Sequence, residues 1–484
     1  MDTVESMEKS PARNGPLSNR IVHFDLKGAP PKISYLLELI PLVRQWGATG
    51  ILVEYEDMFP YKNKLSVLSK PFAYSSDDLK LLQEATKSEG MDYIPLLQSF
   101  GHVEFILKHH QFEHLREASI NPMSLCPKHE ESLPLIEEIV DQFMQEHPDI
   151  EYLHIGGDEV FCINVCKKCV DSRDSIPKLY LSHMEPLILL IQNKFPTLKL
   201  FVWDDMFREF SVQELEELSP QIIPMVWSYV DYLDSQFPND MWRRYGSVFE
   251  EIWIATSFKG SSGPTCDLVP IQHHVNNHLS WFNLIESFDQ ELKVKIKGVA
   301  VTGWSRYDHF ATLCELLPAA FPCLVLCLQV LRQGSFTRTL HENVSKSLGY
   351  VNAIPLSGYF NENGTGNFPG SELIGYICQL EFAKRQLLVL QERSDGWMDD
   401  WHTEVTQEVN LGHIDFIYNL VTQIIQLYES IRGPIQECLS TYFYEETALE
   451  VVKSKIDSKL KVINLIMDKV QTVKSFKDKQ LTQS

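Results

Sequence analysis

Short runs of apolar and β-branched residues, each bounded by Gly, Asp or Pro, recur over the first two thirds of the chain at intervals of about 40 residues. Amphipathic helical patterns fill most of the intervals, and strands that alternate with helices are typical of a parallel sheet. The predicted strands are Ile21–Asp25, Gly50–Tyr55, Asp92–Leu97, Tyr152–Ile155, Leu198–Trp203, Ile222–Trp227, Glu251–Thr256 and Gly298–Trp304.

Eight is the number of strands that closes a (β/α)8 barrel. The alternative is an open, doubly wound sheet, which would want a Gly-rich phosphate loop after its first strand. The sequence at that point is Asp25-Leu-Lys-Gly-Ala-Pro-Pro, and two prolines do not suit such a loop. The predicted fold class is therefore α/β, a (β/α)8 TIM barrel with a C-terminal α-helical extension.

The helices between the strands have recognisable starts. Ser34 is a candidate cap of the first helix, and Ser76-Asp77-Asp78 opens the second, where the carboxylates favour the positive end of the helix dipole. Other helices are predicted near Leu133–Glu146, Leu179–Lys194, Ile271–Phe288 and Ala311–Leu331. Residues 1–19 are predicted to be a disordered N-terminus and residues 20–335 the catalytic barrel.

The pattern changes after residue 335. A connecting segment is predicted over 336–370, because 355–370 are rich in Gly, Asn and Pro. A helical region follows over 371–475, with helices at 371–394, 410–432 and 443–473, and then a polar tail at 476–484. These helices are expected to pack against the barrel or against a second protomer, which would make a homodimer; the alternative is a recruitment surface.

The net negative charge of the chain argues against two classes of binding partner. Lys and Arg number 43 against 65 Asp and Glu, a net charge of −22, and no local basic patch offsets the repulsion of phosphate and of anionic lipid. No nucleic-acid or membrane partner is predicted. The first 19 residues lack the apolar core of a secretory signal, and ten cysteines are too few for a disulfide scaffold. We expect a soluble protein of the cytoplasm, and of the nucleus as an alternative.

In a barrel of this class, catalytic groups come from the carboxyl ends of the strands and from the loops that follow them. Three of the nine tryptophans, Trp203, Trp227 and Trp304, stand at such ends with several carboxylates beside them. Aromatic rings stack on the C–H faces of a sugar, and carboxylates accept hydrogen bonds from its hydroxyls. The pattern indicates a carbohydrate pocket.

Asp158-Glu159, at the end of the fourth predicted strand, is the most informative pair. Two adjacent carboxyls in a desolvated pocket cannot both ionise freely, so the pKa of one should rise. Gly156-Gly157 before them permits backbone conformations that a side chain would forbid. Adjacent residues do not suit the usual glycosidase pair, whose carboxyls flank the bond about 5 Å or more apart. The spacing favours attack by the substrate's own 2-acetamido oxygen, with Glu159 as acid and Asp158 at the acetamido N–H.

The motif His154-Ile-Gly-Gly-Asp158-Glu159-Val resembles the active-site motif of glycoside hydrolase family 20, the β-N-acetylhexosaminidases. Arg20-(x4)-Asp25 is similar to the family's first-strand motif, whose Arg holds sugar hydroxyls. Gly101-His102 is similar to the segment that supplies a His supporting the acid, and the three tryptophans resemble those around the acetamido group. The segments DLKGAPPK and EYEDMFPY resemble the intracellular hexosaminidase D branch.

The resemblance implies an enzyme that removes terminal, non-reducing β-linked N-acetylhexosamine from a glycan or glycoconjugate. GalNAc is expected to be preferred over GlcNAc. The implied mechanism is retaining and substrate-assisted, through an oxazolinium intermediate and without a cofactor. The predicted catalytic residues are Glu159 and Asp158. The predicted substrate-binding residues are Arg20, Asp25, His102, Trp203, Asp205, Trp227, Tyr229, Trp304 and Tyr307.

The sequence departs from the family pattern at two places. The Tyr expected just after the seventh strand is replaced by Ala255-Thr-Ser-Phe258-Lys259, so Tyr229 or Tyr307 is expected to take its role. A Trp-x-Glu is replaced by Trp304-Ser-Arg306, which removes a carboxylate for distal hydroxyls. The candidates to replace that carboxylate are Glu54, Glu56, Asp205 and Asp308. The alternative functions are a lectin-like barrel that binds acetamido-sugars and an interaction scaffold built on the C-terminal helices.

Three cysteines in the pattern Cys162-(x3)-Cys166-(x2)-Cys169 follow the catalytic strand. With a fourth ligand from elsewhere they could bind zinc, but a Cys-x-x-Cys without a second pair is a weak signal. His23-x-Asp25 lacks the further His ligands of a metal-dependent barrel hydrolase. The sequence therefore predicts reduced thiols and no metal.

Overall fold

The computed structural model describes residues 17–218, 222–238, 240–288, 294–357 and 364–483, with side chains through residue 475. The chain divides into two compact units, one of Met1–Ser347 with Asn352–Gly358 and one of Leu348–Val351 with Tyr359–Ser484. Most of the N-terminus predicted to be disordered, residues 1–16, lies outside the described residues, and the first strand already begins at Asn19.

The first unit contains a closed barrel of eight parallel strands, which confirms the predicted fold class. Its strands neighbour one another in the order β1-β10-β9-β8-β7-β6-β3-β2, and the other two form an antiparallel hairpin, β4-β5, that was not predicted. The strand bounds are β1 Asn19–Asp25, β2 Gly50–Glu54, β3 Asp92–Leu96, β4 Arg116–Ala118, β5 Asn121–Leu125, β6 Tyr152–His154, β7 Lys199–Trp203, β8 Ile222–Trp227, β9 Ile252–Lys259 and β10 Ile296–Gly303.

Eleven described α-helices belong to the first unit. They are α1 Ile33–Trp46, α2 Ser76–Ser88, α3 Glu104–Leu107, α4 Ser132–Glu146, α5 Lys167–Ser172, α6 Ile176–Lys194, α7 Val212–Glu217, α8 Met241–Val248, α9 Ile271–Glu286, α10 Leu317–Gln333 and α11 Arg338–Ser347. Ser34 does not cap α1, because it lies inside the helix and Lys32 is the N-cap. Helix α10 begins six residues later than predicted, with Pro318 in its first turn, where a missing N–H costs nothing.

The second unit is helical. Its helices are α12 Glu372–Trp397, α13 Leu411–Tyr442, α14 Glu445–Val451 and α15 Ser458–Gln483. A π-helical turn at Val452–Asp457 joins α14 to α15. Helix α15 continues through most of the predicted polar tail, while Ser484 lies outside the described residues. Among the described residues, no helix combines the length and the apolar character needed to span a membrane.

Side chains from the strands fill the barrel interior in layers. Alternate residues of one strand point inward, so pairs two apart, such as Phe201 with Trp203 and Trp253 with Ala255, occupy successive layers. Trp253 therefore belongs to the core, as the sequence predicts. Its ring covers Gly298 on the neighbouring strand, where an added Cβ would lie 2.5 Å from the ring. The layer containing Trp203 is the one nearest the carboxyl ends of the strands.

Gly298→Ala should destabilise the protein by about 1–3 kcal/mol, because the tryptophan must move within a packed barrel. Gly396→Ala is the control, since a Cβ there meets nothing within 4 Å and alanine favours the helix by up to about 1 kcal/mol. Urea unfolding followed by tryptophan fluorescence measures both changes. Equal stability of the Gly298→Ala variant and the wild type would contradict the packing described.

Candidate active site

A cavity of about 270 Å³ opens at the carboxyl ends of the barrel strands. Its lining consists of Lys27, Gln98, His102, Asp158, Glu159, Trp203, Trp227, Tyr229, Gly260, Ser261, Trp304, Arg306 and Tyr307. Eight of the eleven predicted site residues are therefore brought together. The three that do not line the cavity are Arg20, Asp25 and Asp205.

Aromatic side chains form the floor and walls of this cavity. Trp203 is almost fully buried, and its ring lies 6.1 Å from that of Trp304. Trp227 stacks on Tyr229 with ring centroids 5.2 Å apart. The Trp304 Nε1–H donates a hydrogen bond to the Tyr229 hydroxyl at 3.2 Å, which fixes one wall against the other. The arrangement presents flat apolar faces with few polar atoms, which suits a small ring-shaped ligand.

The backbone turns sharply between the end of β6 and the two acids. Gly156 and Gly157 have φ values of 66° and 91°, and Glu159 has a φ of 48°. A Cβ at Gly156 would lie 2.0 Å from the Gln98 side chain, so both the conformation and the space require glycine. The left-handed turn moves Asp158 and Glu159 off the strand and into the cavity.

The two adjacent acids occupy different depths. Asp158 is nearly buried, and its Oδ1 has no hydrogen-bond partner among the described residues. The Glu159 side chain is 33% exposed and stands at the mouth. The His102 Nε2 lies 3.1 Å from Glu159 Oε2 and 3.6 Å from Asp158 Oδ2, so one ring serves both. The cavity thus has an inner acid with a buried, unpaired oxygen and an outer acid that water can reach.

Burial and charge shift the titration of these groups. Burial raises the pKa of Asp158 to about 6, and the charge of Glu159 adds to the rise while His102 opposes it. The sequence predicts a raised pKa for one carboxyl of the adjacent pair, and in the structure that carboxyl is Asp158. Burial lowers the pKa of His102, but the charge of Asp158 and the hydrogen bond to Glu159 outweigh it and raise the pKa to about 10. His102 is therefore a cation at neutral pH.

Asp205 holds two parts of the site through hydrogen bonds. Its Oδ2 accepts the Glu159 backbone N–H at 2.8 Å, and its Oδ1 accepts the Trp227 Nε1–H at 3.0 Å. Burial and the charge of Asp158 raise the pKa of Asp205 to about 7. Because both oxygens are engaged and neither lines the cavity, Asp205 positions an acid and a wall instead of contacting a ligand there.

The structure corrects the predicted role of Arg20. Its guanidinium is buried at the amino end of the barrel, where Nε donates to the carbonyl of Gly47 at 2.9 Å, just before β2 begins. Arg20 stands second in β1, and the cavity lies beyond the other end of that strand. Asp25 does stand at the right end, but its carboxylate accepts the backbone N–H groups of Lys27 and Ser305. It joins the loops after β1 and β10.

Five lining residues are absent from the predicted site, namely Lys27, Gln98, Gly260, Ser261 and Arg306. Lys27 comes two residues after β1 and is almost fully buried, with its Nζ 3.3 Å from Glu56 Oε1. Its place just past a strand end was the available signal. The sequence analysis treats Arg306 only as the residue that replaces the glutamate of the family's Trp-x-Glu. With the charged His102, the lining of the cavity therefore contains three cationic side chains.

None of the four candidates to replace the missing carboxylate lines the cavity. Glu54 lies 3.0 Å from His23 and accepts from Gln98, and Glu56 contacts Lys27 and His309. The carboxylate of Asp308 accepts backbone N–H groups of its own loop. Ala255-Thr-Ser-Phe258-Lys259 also differs from its predicted place, since it forms part of β9 instead of following it.

A family model described as the catalytic domain of glycosyl hydrolase family 20 matches residues 58–311, slightly more than half of the chain. The chain belongs to glycoside hydrolase family 20. It is 33% identical to the Homo sapiens protein named Hexosaminidase D over 468 residues, 95% of each chain. It is 42% identical to the Bos taurus protein of the same name over 338 residues, 68% of this chain and 96% of the other.

Among solved structures, the β-N-acetylhexosaminidase of Bacteroides fragilis NCTC 9343 is similar with a TM-score of 0.50 at 14% identity. The similarity covers 68% of this chain and 70% of that one, and it shows the shared barrel fold. In this chain, the motif Gly156-Gly-Asp158-Glu159, on which the resemblance rests, follows barrel strand β6.

The ring of His102 should remain protonated to about pH 10, because the charge of Asp158 and the hydrogen bond to Glu159 outweigh burial. The raised pKa of His102 contributes stability that is complete below the ordinary histidine pKa of about 6.5 and is lost as the pH rises through 10. NMR titration of histidine-labelled protein should show the pKa of His102 falling in Asp158→Asn and unchanged in the control Asp308→Asn. An ordinary pKa near 6.5 in the wild type would contradict the charge arrangement.

Proposed function

We propose that the protein is an exo-acting β-N-acetylhexosaminidase that removes a terminal, non-reducing β-linked GalNAc or GlcNAc from a glycan or glycoconjugate. The reaction is retaining and substrate-assisted, through an oxazolinium intermediate. One observation carries the proposal: a buried Asp158, whose Oδ1 has no hydrogen-bond partner among the described residues, stands directly beside a partly exposed Glu159 at the cavity mouth. Family membership supports the reaction class.

The size of the cavity supports action on a chain end. Its volume of about 270 Å³ is at the lower limit of ordinary small-molecule sites, which begin near 300 Å³. The buried ring of Trp203 closes its floor. A single sugar ring fills such a space, and the remainder of the substrate must extend out past Glu159. The residue that is removed is therefore the terminal one.

The first step uses both acids. Glu159 gives its proton to the glycosidic oxygen, the bond from that oxygen to C1 breaks, and the alcohol leaves through the mouth. The acetamido carbonyl oxygen attacks C1 from the opposite face and closes the oxazolinium ring. Positive charge develops on the acetamido nitrogen, and Asp158 Oδ1 accepts its N–H and stabilises that charge.

The second step reverses the proton transfer. The Glu159 carboxylate takes a proton from a water molecule, whose oxygen attacks C1 from the mouth and opens the oxazolinium ring. Two inversions at C1 leave the β configuration unchanged. Charged His102, 3.1 Å from Glu159, stabilises the carboxylate in the interval between the two transfers.

Tyr229 is the side chain that we assign to the acetamido carbonyl oxygen. Its hydroxyl is held in the cavity lining by the hydrogen bond from Trp304, and its ring lies within the aromatic wall. Tyr307 is 44% exposed at the rim, where its hydroxyl accepts the N–H of Gly263. Lys27 and Arg306 are assigned to the sugar hydroxyls.

GalNAc is proposed as the preferred sugar. The support is the resemblance to the hexosaminidase D branch, and the rate ratio between the two sugars is the test.

Glu159→Gln should lower turnover of 4-methylumbelliferyl β-GalNAc and β-GlcNAc by about 10² or more, because an amide cannot donate the acid proton. Release of the fluorophore measures the loss, and the exposed Glu130→Gln is the matched control with unchanged activity. Equal rates in wild type and Glu159→Gln would show that this residue is not the acid. No turnover of either sugar by folded wild-type protein would favour the lectin or the scaffold.

Successive fluorine substitution of the substrate's acetamido methyl group should lower kcat/KM at each step. Fluorine withdraws electrons from the carbonyl oxygen that attacks C1, so the nucleophile becomes weaker while the leaving group stays the same. Rates across the N-acetyl, N-fluoroacetyl and N-difluoroacetyl substrates measure the dependence. A rate independent of fluorine content would point to a protein nucleophile and overturn the substrate-assisted step.

A further inference from the structure

Four potential metal ligands meet beside the loop that follows the catalytic strand. Glu117 lies in β4, Cys126 follows β5, and Cys166 and Cys169 begin α5. One ligand atom from each lies within 4.8 Å of all the others. We call this set of four residues the thiol cluster. Of the three cysteines singled out in the sequence, Cys162 is not a member.

The distances within the thiol cluster resemble those of a tetrahedral zinc site. Zn–S bonds of about 2.3 Å place tetrahedral sulfurs about 3.8 Å apart, and a carboxylate oxygen at about 2.0 Å lies about 3.5 Å from each sulfur. The Cys126 Sγ lies 3.3 Å from Cys166 Sγ and 3.7 Å from Cys169 Sγ, and Cys169 Sγ lies 3.2 Å from Glu117 Oε2. These three distances lie within about 0.5 Å of the tetrahedral values, and the remaining ligand atoms lie within 4.8 Å of one another.

Glu117 is a buried carboxylate that faces the sulfurs of the cluster. The residue is 1% exposed, and among the described residues no lysine, arginine or histidine forms an ion pair with it. Its Oε1 accepts the backbone N–H groups of Val165 and Cys166 at 2.7 and 3.0 Å, which leaves Oε2 directed at the sulfurs. A dication bound at Oε2 would give this buried carboxylate a direct cationic partner.

We propose that Glu117, Cys126, Cys166 and Cys169 form a structural zinc site. Thiolate ligands select zinc over the hard cations Mg²⁺ and Ca²⁺, and four protein ligands leave no open position for catalysis. Binding releases the thiol protons to solvent and changes no oxidation state. The site is separate from the glycosidase proposal and replaces the expectation of free reduced thiols.

The location of the thiol cluster indicates that a bound zinc ion would hold the loop after β6 against the β4-β5 hairpin. Cys166 lies seven residues after Glu159, so the ion anchors the far end of the loop that begins with the two acids. On the hairpin side, the Val103 N–H donates to Met123 O and the Leu125 N–H donates to Phe100 O, which ties the hairpin to the segment carrying His102. Zinc would therefore link the segment that carries His102 to the loop that carries Asp158 and Glu159.

Native mass spectrometry and elemental analysis of the full chain, isolated without chelator and then reduced and supplied with Zn²⁺, test the site. The expected result is about one zinc per chain in wild type and in Cys162→Ser, and none in Cys126→Ser or Cys169→Ser. Cys162 is the matched control, since it shares the loop but its Sγ accepts a hydrogen bond from Asn121.

Cobalt binding and thermal unfolding keep the test decisive if a variant does not fold. Reduced wild-type protein stripped of metal should bind one Co²⁺ and show the thiolate charge-transfer and intense ligand-field bands of tetrahedral cobalt. A chelator should lower the Tm of wild type and of Cys162→Ser. Failure of the reduced wild type to bind either ion overturns the proposal, and so does a disulfide among the three thiols that persists as the native form.

Discussion

The hydrogen bond from the Glu159 backbone N–H to the Asp205 carboxylate fixes where the two adjacent acids point. Neighbouring side chains on a strand face opposite sides, so an Asp-Glu pair on regular β6 could not share one pocket. The left-handed turn at Gly156 and Gly157 takes the pair off the strand, and Asp205 holds a Glu159 backbone whose positive φ costs about 1–2 kcal/mol on its own. The different depths of the two acids follow from this turn.

The same pocket carries charges that folding does not favour. Burial raises the pKa of Asp158 from 3.8 to about 6, so the folded protein binds the Asp158 proton more tightly than the unfolded chain does. The stability of the fold therefore falls as the pH rises from 3.8 through about 6. Charged His102 offsets part of the cost. The barrel interior must supply the remainder, and its layers of Phe201, Trp203 and Trp253 provide large buried apolar area. The active-site carboxyls thus stand on a barrel that is stabilised by the apolar packing of its interior.

Sequence reasoning succeeded where local pattern and fold class set the answer. All eight barrel strands were predicted, because each is a continuous apolar run between glycines, prolines or acids. The strand-end rule then led to Asp158, Glu159 and the three tryptophans. The role that the family resemblance implied for Arg20 was wrong, because Arg20 stands at the amino end of β1. The 116–125 hairpin was not predicted because two strands of three and five residues carry too short a pattern.

The sequence by itself determined the barrel, the acid pair and the family, since each rests on residues close together in the chain. Only the tertiary structure decided which side chains meet across it. The pairing of Asp205 with Glu159, the buried Lys27 in the cavity and the approach of Glu117 and Cys126 to Cys166 and Cys169 join segments tens of residues apart. Periodicity records which face of an element is buried, but the partner that covers it depends on how the barrel closes.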